Sequence, residues 1–348
     1  MRSCGPRPLR LLRVADVSTI PAAVTTAIED ALDAAHSAGY DLGRSDQAAD
    51  DRTAYAALEA EFAAYRERNP ETPPPPARTV FSVYAGPATK GGSGQTSTTR
   101  ARVCKAFGIP EPLPVDRVYS STDFGKAASC PSPHVAVSYG QVVALARGTS
   151  TVINALKAEF EQLAVRTGQT FDVSCDHEVD SKIRKGSYTA AQVEDAHGEF
   201  ASILDSVAAP NLRHALCCTG YVFQLGPSDP SHPDHYYAVG VYQVGALDPY
   251  WSNGKRSVDD VFDPAFAWVG SKGLIPATWE TGVSVDPEEP ALTVAELTRR
   301  TEGIADYFER KPVAYSMWFE SARGNNYLEN TPSALAVWAE RMQAQVTG

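Results

Sequence analysis

The sequence predicts an α/β protein of the (β/α)8 TIM-barrel class, preceded by a short helical segment and a proline-rich linker. Strand and helix patterns alternate between residue 78 and residue 348, with eight strand-like runs. Two of these runs, about a hundred residues apart, end in a glutamate, Glu178 and Glu280. Such alternation indicates a parallel sheet covered by helices, and barrels of this class carry their sites at the carboxyl ends of the strands.

The chain before the barrel has a different pattern. Within residues 1–69, apolar residues recur every three or four positions in two short stretches, from Val24 and from Tyr55. This spacing predicts a small helical hairpin, with a short oligomerising stalk as the alternative. Pro70 and Pro73–Pro76 follow, and proline lacks the N–H that a sheet requires. We therefore place a linker at residues 70–77 and begin the barrel at residue 78.

The strands are predicted from short apolar or alternating runs bounded by turn residues. In chain order they are Thr79–Gly86, Val115–Ser121, His134–Tyr139, Phe171–Asp180, Leu212–Thr219, a run within Tyr237–Tyr250, Leu274–Gly282 and Val313–Phe319. The sixth has two phases, ending at Tyr242 or at Asp248. The segments after the second and fifth strands are short of helical pattern, so we expect an irregular barrel.

Helices are predicted between most of these strands. Their starts carry capping patterns: Thr189 with Gln192, Ser257 with Asp260, and Thr293 with Glu296. Two further helices are predicted at Thr98–Phe107 and Thr149–Leu163, and a last helix begins at Thr331-Pro332.

The fourth strand has the most informative alternation. Phe171, Val173 and Cys175 share one face, which suits a covering layer of helices, whereas Asp172, Ser174, Asp176 and Glu178 share the other, which suits a barrel interior. The seventh strand repeats the design, with Ile275, Ala277 and Trp279 on one face and Thr278 and Glu280 on the other. A carboxylate at the end of a buried strand is costly unless chemistry requires it. The alternative is that the two glutamates have no catalytic function, since any α/β protein has acidic residues at strand ends.

Composition limits the classes of partner. Lys and Arg total 31 and Asp and Glu 42, a formal net charge of −11, which disfavours nucleic acid. No apolar run approaches the length of a membrane span, and the first residues do not form a secretory signal. Localisation is therefore open, with an extracellular or virion-associated protein as the working hypothesis.

We predict neither a metal nor a cofactor. The six cysteines lack a CxxC spacing and are predicted to be buried thiols in part, and no second histidine follows His177-Glu178 at the spacing of a zinc protease. His232 and His235, with Asp229 and Asp234, favour an ordinary polar loop over a metal site.

Several short motifs, in their order, resemble glycoside hydrolase family 26, the clan A barrels typified by endo-β-mannanases. The motifs are a His-Glu pair closing strand four, Asp-Pro-Tyr after strand six, Glu-Thr-Gly closing strand seven and a tryptophan on strand eight. The resemblance runs from Thr79 to the end of the chain. After the His-Glu pair the sequence is Val179-Asp180-Ser181-Lys182, unlike the aromatic-rich segment of typical mannanases.

The resemblance implies a role for each matching residue. Glu178 would be the acid/base, His177 would position it, and Glu280 would be the nucleophile, hydrogen-bonded by Tyr250. Trp318 would form the floor under the sugar ring. Tyr84 and Trp279 are further aromatic candidates for substrate binding.

Two function classes follow from this reading. The first is a retaining glycoside hydrolase that degrades a β-linked, mannan-like polysaccharide, because glycosidic cleavage needs one protonated and one ionised carboxyl group. The second is a non-catalytic carbohydrate-binding or structural module on the same barrel, for example a phage tail or cell-surface part. Residues 1–69 would then serve self-association or virion attachment.

Overall fold

The computed structural model describes residues 78–85, 96–120, 124–251, 256–284, 292–320 and 328–346. The predicted N-terminal helices and the proline-rich linker lie outside these ranges. Within them, no helix is both long and apolar enough to cross a bilayer.

Parallel strands form one sheet that is nearly closed into a barrel. The strands are β1 (Val80–Ala85), β2 (Val115–Tyr119), β3 (His134–Ser138), β4 (Thr170–Ser174), β5 (Leu212–Thr219), β6 (Val244–Asp248), β7 (Tyr250–Trp251), β8 (Ile275–Val283) and β9 (Tyr315–Glu320). Their order is β1-β9-β8-β6-β5-β4-β3-β2, and the two-residue β7 pairs with β8. The Ser82 hydroxyl bridges β1 and β2 through the Val115 carbonyl at 2.5 Å and the Val115 N–H at 3.3 Å. The predicted TIM-barrel class is confirmed.

Helices cover the outside of the barrel. They are α1 (Ser97–Phe107), α2 (Val142–Ala146), α3 (Ser150–Ala164), α4 (Val179–Arg184), α5 (Ala190–Val207), α6 (Val222–Leu225), α7 (Val258–Ser271), α8 (Val294–Arg310) and α9 (Pro332–Val346). Helix α6, after β5, has only four residues, and the described residues between β2 and β3 contain only turns. The irregularity expected after strands two and five is therefore present.

Local capping fixes where several helices begin. Thr189 and Gln192 form a reciprocal capping box at α5, and Ser257 and Asp260 form another at α7. Thr293 accepts from the N–H of Glu296 at 3.1 Å, at the start of α8. These contacts satisfy N–H groups that the first helical turn leaves without partners.

Strand β4 ends at Ser174, so the predicted run to Asp180 is too long, and His177 and Glu178 follow the strand. Up to Ser174 the strand has the two faces that its sequence predicts. Phe171, Val173 and Cys175 pack into the outer layer against helix residues. Asp172 points inward, since it contacts Tyr315 across the barrel at 2.6 Å. Strand six ends at Asp248, which settles its phase.

Strand β8 departs from the predicted alternation. Ala277 and Trp279, expected on the outer face, lie inside the barrel with strand residues such as Val244 and Met317. Thr278, expected inside, donates to the hydroxyl of Ser316 on the neighbouring strand. Up to Trp279 the alternation is regular but in the opposite phase to the predicted one. A register shift follows, because the pairing with β9 advances from Thr278 to Thr281 while β9 advances only from Ser316 to Trp318. This β-bulge lets Glu280 turn toward the barrel mouth although Trp279 also faces inward.

Candidate functional site

Three side chains from other parts of the chain hold Glu280 at the barrel mouth. The Tyr250 hydroxyl donates to its Oε2 at 2.8 Å, and the Tyr119 hydroxyl donates to its Oε1. The Nε2 atom of His177 lies 3.5 Å from the same Oε1. The hydrogen bond predicted between Tyr250 and Glu280 is therefore present. Tyr119, at the end of β2, is a partner that the sequence analysis missed.

Burial and hydrogen bonding act in opposite directions on Glu280. Only 5% of the residue is exposed, and this burial raises its pKa to about 7, although Arg117 opposes the rise. The two phenol donors favour the ionised carboxylate, because they bond to its charge. Glu280 is thus a buried acid whose charge is supported by fixed donors.

Glu178 lies at the end of the connection from β4, as the first residue before α4. It is half-buried, and its backbone is left-handed with φ 47° and ψ 55°. Among the described residues, Ala208 is the other non-glycine residue with positive φ, at an ordinary helix end. Such a conformation costs about 1 to 3 kcal/mol in a residue with a side chain, and it clusters at functional sites.

The charge of Glu178 is also unfavourable. Burial raises its pKa first, and the neighbouring Asp180 raises it further, against the lowering effect of Lys185 and Lys182. Glu178 in turn raises the pKa of Asp248 and of Tyr250, which places these groups within electrostatic reach of one another. A carboxyl with a raised pKa is suited to hold a proton near neutral pH.

His177 links Glu280 to a second buried acid. Its Nδ1 atom lies 3.3 Å from Oδ2 of Asp248, 3.5 Å from Sγ of Cys217 and 3.1 Å from Nη2 of Arg117. Burial lowers the pKa of His177 well below its usual value, and Arg117 lowers it further, so the imidazole is neutral. His177, predicted to position Glu178, thus contacts the other glutamate.

Arg117 brings the one buried positive charge to this group in the described residues. Its guanidinium is sandwiched between the rings of Tyr119 at 4.3 Å and Trp279 at 4.2 Å. It also donates to the Ser138 hydroxyl at 2.6 Å and to the Ala136 carbonyl at 3.3 Å. The sequence VDRVY reads only as an alternating strand, so the role of Arg117 was not predicted.

The predicted aromatic residues are placed differently from one another. Tyr84 stacks on Phe319 at 5.0 Å and meets Tyr119 edge-on at 5.8 Å, so it lies beside the site and is 8% exposed. Trp279 is fully buried below the site, where its Nε1 donates to Tyr315 at 2.7 Å. Its ring contacts the Arg117 guanidinium, and its full burial leaves no surface of the ring for a substrate.

Trp318 lies outside the candidate site. It is fully buried in the outer layer, with its ring 5.2 Å from that of Trp338 in α9. The alternation of β9 sends Met317 inward and Trp318 outward. The sugar-ring floor expected of Trp318 therefore does not form at this residue, and Phe319 is the aromatic residue of β9 that stacks beside the site.

Comparison with known proteins supports the fold. No protein-family model and no curated protein matches the chain. The GH26 endo-β-1,4-mannanase of Bacillus sp. JAMB-750 superposes with a TM-score of 0.50 at 13% identity, over 76% of this chain and 86% of that one. A β-mannanase from a symbiotic protist of the termite Reticulitermes speratus gives 0.49 at 13% identity, over 76% and 87%. A fungal β-1,4-galactanase gives 0.49 at 12%, over 75% and 94%.

At these identities the comparisons speak to architecture. The chain shares the barrel of a family 26 mannanase, and the resemblance implied by the motif order is confirmed at the level of fold.

Proposed function

We propose that this barrel is a retaining glycoside hydrolase that cleaves a β-linked, mannan-like polysaccharide, with Glu280 as nucleophile and Glu178 as acid/base. The observation that carries the proposal is the support of Glu280 by Tyr250, Tyr119 and His177 at the barrel mouth. The shared fold with a family 26 mannanase is consistent with it. No cofactor is needed for this reaction.

The environment of Glu280 suits a nucleophile. A nucleophilic carboxylate must be ionised and held in one orientation when it attacks the anomeric carbon. Two phenol donors favour the ionised form, and together they fix both carboxylate oxygens. The nearby guanidinium of Arg117 further lowers the cost of the buried charge.

The environment of Glu178 suits the proton donor. The acid must carry a proton near neutral pH and must reach a leaving-group oxygen that enters from solvent. Burial and Asp180 raise its pKa to about 6, below the value of about 7 at Glu280, so the assignment rests on position and not on the order of the two pKa values. The side chain of Glu178 is more exposed than that of Glu280, and Glu280 has two phenol donors that favour its charge. Its strained backbone gives a second, independent reason to assign it a function.

The substrate class rests on ring surfaces and on the fold. Tyr84, Tyr119 and Phe319 form a contiguous aromatic group beside Glu280, and aromatic rings bind the apolar faces of sugars. We expect a β-1,4-linked chain of the mannan type, the substrate named for the Bacillus relative.

The test distinguishes the roles of the two glutamates by comparing substrates with different leaving groups. Glu178→Ala should lower hydrolysis of mannan by about 10² to 10⁴-fold but retain cleavage of an aryl glycoside with an acidic phenol, which needs no protonation. Added azide should then yield the glycosyl azide with retained configuration. Glu280→Ala should abolish both activities. Glu178→Ala with unchanged mannan hydrolysis would refute the assignment.

Stereochemistry provides the independent check. Proton NMR of the wild-type reaction should show the retained anomer first, and the inverted anomer first would remove the nucleophile role from Glu280.

The alternative function is a binding module without turnover. Polysaccharide binding without release of reducing sugar, unchanged in the Glu178→Ala/Glu280→Ala variant, would establish it. Attachment through residues 1–69, and an extracellular or virion location, stay hypotheses that size measurement and fractionation of the full chain can test.

A further inference from the structure

Three atoms with lone pairs converge beneath the candidate site. They are Nδ1 of His177, Sγ of Cys217 and Oδ2 of Asp248, and all lie within 4.8 Å of one another. The individual separations are 3.3 Å between nitrogen and oxygen, 3.5 Å between sulfur and nitrogen, and 3.5 Å between sulfur and oxygen. They form a nearly equilateral triangle of a nitrogen, a sulfur and an oxygen donor.

The barrel itself builds this triangle. His177 follows β4, Cys217 lies in β5, and Asp248 ends β6, so three neighbouring parallel strands each supply one side chain at the same end. Cys217 and Asp248 are buried, and His177 keeps 20% of its side chain exposed. Two of the three atoms therefore lie on strands, and His177, just beyond β4, is the partly exposed member.

The hydrogen bonds of the group are incomplete. Oδ1 of Asp248 is buried without a partner in the described part of the chain. Between the three converging atoms, the Cys217 thiol contributes one proton and Arg117 one N–H. A cation among the three atoms would bond to all of them, and its charge would offset that of the carboxylate whose Oδ1 has no hydrogen-bond donor.

We propose that His177, Cys217 and Asp248 form a binding site for a thiophilic divalent cation of the zinc class. A tetrahedral ion with bonds of about 2.0 Å to N and O and about 2.3 Å to S separates its ligand atoms by about 3.3 to 3.6 Å. The observed triangle has these edges without rearrangement. A mixed N, S and O set favours Zn²⁺ or Co²⁺ over Mg²⁺ or Ca²⁺, which prefer oxygen alone.

Arg117 competes with the cation. Its Nη2 atom, 3.1 Å from Nδ1 of His177, supplies the positive charge of the metal-free group. Binding must break this hydrogen bond and release the thiol proton, so we expect moderate affinity that rises with pH.

Occupancy would also change the mouth of the barrel, an effect that rests on the proposed function. His177 contacts Glu280 through its other nitrogen, and a divalent charge on the same ring stabilises the Glu280 carboxylate and weakens it as a nucleophile. The ion would therefore inhibit hydrolysis.

The experiment titrates Co²⁺ into chelator-treated, tag-free wild-type protein. One equivalent should produce the visible bands of a tetrahedral site and a thiolate charge-transfer band in the ultraviolet, with release of at least one proton by calorimetry in two buffers. Cys217→Ser should lose the charge-transfer band. The matched control is Cys218→Ser, because that neighbouring thiol faces Tyr236 in the outer layer and its loss should leave the spectrum unchanged.

The outcomes are decisive in both directions. Wild-type protein without a saturable thiolate band would overturn the site, whatever the variants do. A band lost in Cys218→Ser but kept in Cys217→Ser would also overturn it. Because this readout is spectroscopic, the site can stand if no polysaccharide is cleaved. Equally, hydrolysis indifferent to saturating Co²⁺ would reject only the inhibitory effect.

Discussion

Strand β4 has a buried polar cluster beside each of its ends. The two clusters differ in how completely their polar atoms are hydrogen-bonded. The lower cluster consists of Asp172 with Arg213, His134 and Tyr315. Asp172 accepts from Arg213 at 2.6 and 3.0 Å and from Tyr315 at 2.6 Å, and it contacts His134 at 2.9 Å. The upper cluster consists of His177, Asp248, Glu280 and Tyr250, described above, and it contains an unpaired carboxylate oxygen.

The pKa of the buried acid is lowered in the lower cluster and raised in the upper cluster. Burial acts to raise the pKa of Asp172, yet His134 and Arg213 together hold it well below its usual range. Burial also raises the pKa of Asp248, but Glu178 adds to the rise and Arg117 offsets only part of it. Both carboxylates are almost completely buried, so burial alone does not separate a structural acid from a functional one. The neighbouring charges do, because His134 and Arg213 lower the pKa of Asp172 whereas Glu178 raises that of Asp248.

The largest expected effect tests the upper cluster. Glu280→Gln should abolish polysaccharide hydrolysis, as Glu280→Ala should, because the amide cannot act as a nucleophile, while the melting temperature stays within a few degrees. The control is Glu320→Gln, a buried acid at the end of β9 that accepts from the N–H groups of Leu328 and Glu329. Equal activity losses in both variants would show that Glu280 is no more important for hydrolysis than the buried control residue Glu320.

The second effect tests the lower cluster. Asp172→Ala should cost about 3 kcal/mol of unfolding free energy, because it strands the charge of Arg213 beside a buried hydrophobic interior. We take the low end of the range for buried pairs, since 24% of the Arg213 side chain is exposed. Urea denaturation measures the loss. Activity per folded molecule should be retained, and an activity loss that exceeds the unfolded fraction would contradict a purely structural role.

The third effect concerns a buried pair in the outer layer, which extends the comparison to neutral groups. Nδ1 of His197 lies 2.9 Å from Nε2 of His214, and burial lowers the pKa of His197 to about 3. The unfolded chain therefore binds protons first, so stability is full above about pH 6.5 and falls as the pH drops toward 3. At pH 5 the expected loss from His197 is about 2 kcal/mol.

Denaturation at pH 7 and pH 5 checks this expectation. His197→Gln should reduce the difference between the two, whereas substitution of the exposed His235 by Asn should leave it unchanged. If His197→Gln keeps the full wild-type pH dependence, a group other than His197 causes the loss of stability at low pH.

The smallest effect sets the scale for exposed polar contacts. Ser257→Ala removes the hydroxyl that accepts from the N–H of Asp260 at 3.1 Å, and it should cost about 1 kcal/mol. Thermal denaturation measures it, with Ser271→Ala at the other end of α7 as the control. A loss as large as that of Asp172→Ala would mean that burial contributes little to the lower cluster.

Much of the fold could be predicted from local pattern. The alternation of β4 identified its inner and outer faces, and the capping boxes at Thr189 and Ser257 located two helix starts. The contact between Tyr250 and Glu280 followed from the resemblance, because both motifs end neighbouring strands of the barrel. Alternation and capping involve residues only a few positions apart. The contact between Tyr250 and Glu280 depends on strand order alone.

The missed features depend on closure of the barrel. Arg117 and Tyr119 meet Glu280 and His177 only because β2 curves round to face β4 and β8. The inward side of Glu280, directly after the inward-facing Trp279, depends on a one-residue register shift that the period of the sequence does not predict. Strand phase cannot be read from alternation alone where both faces are apolar, as at Trp318 in β9.

The bulge in β8 relaxes a rule of strand geometry at one point. In a regular strand, either the tryptophan that plugs the barrel or the acid above it could turn inward, but not both at adjacent positions. The irregular step between Thr278 and Thr281 allows the plug and the acid to be consecutive residues. A designer who transplants this acid onto an idealised strand would have to move it by one position or give up the plug beneath it.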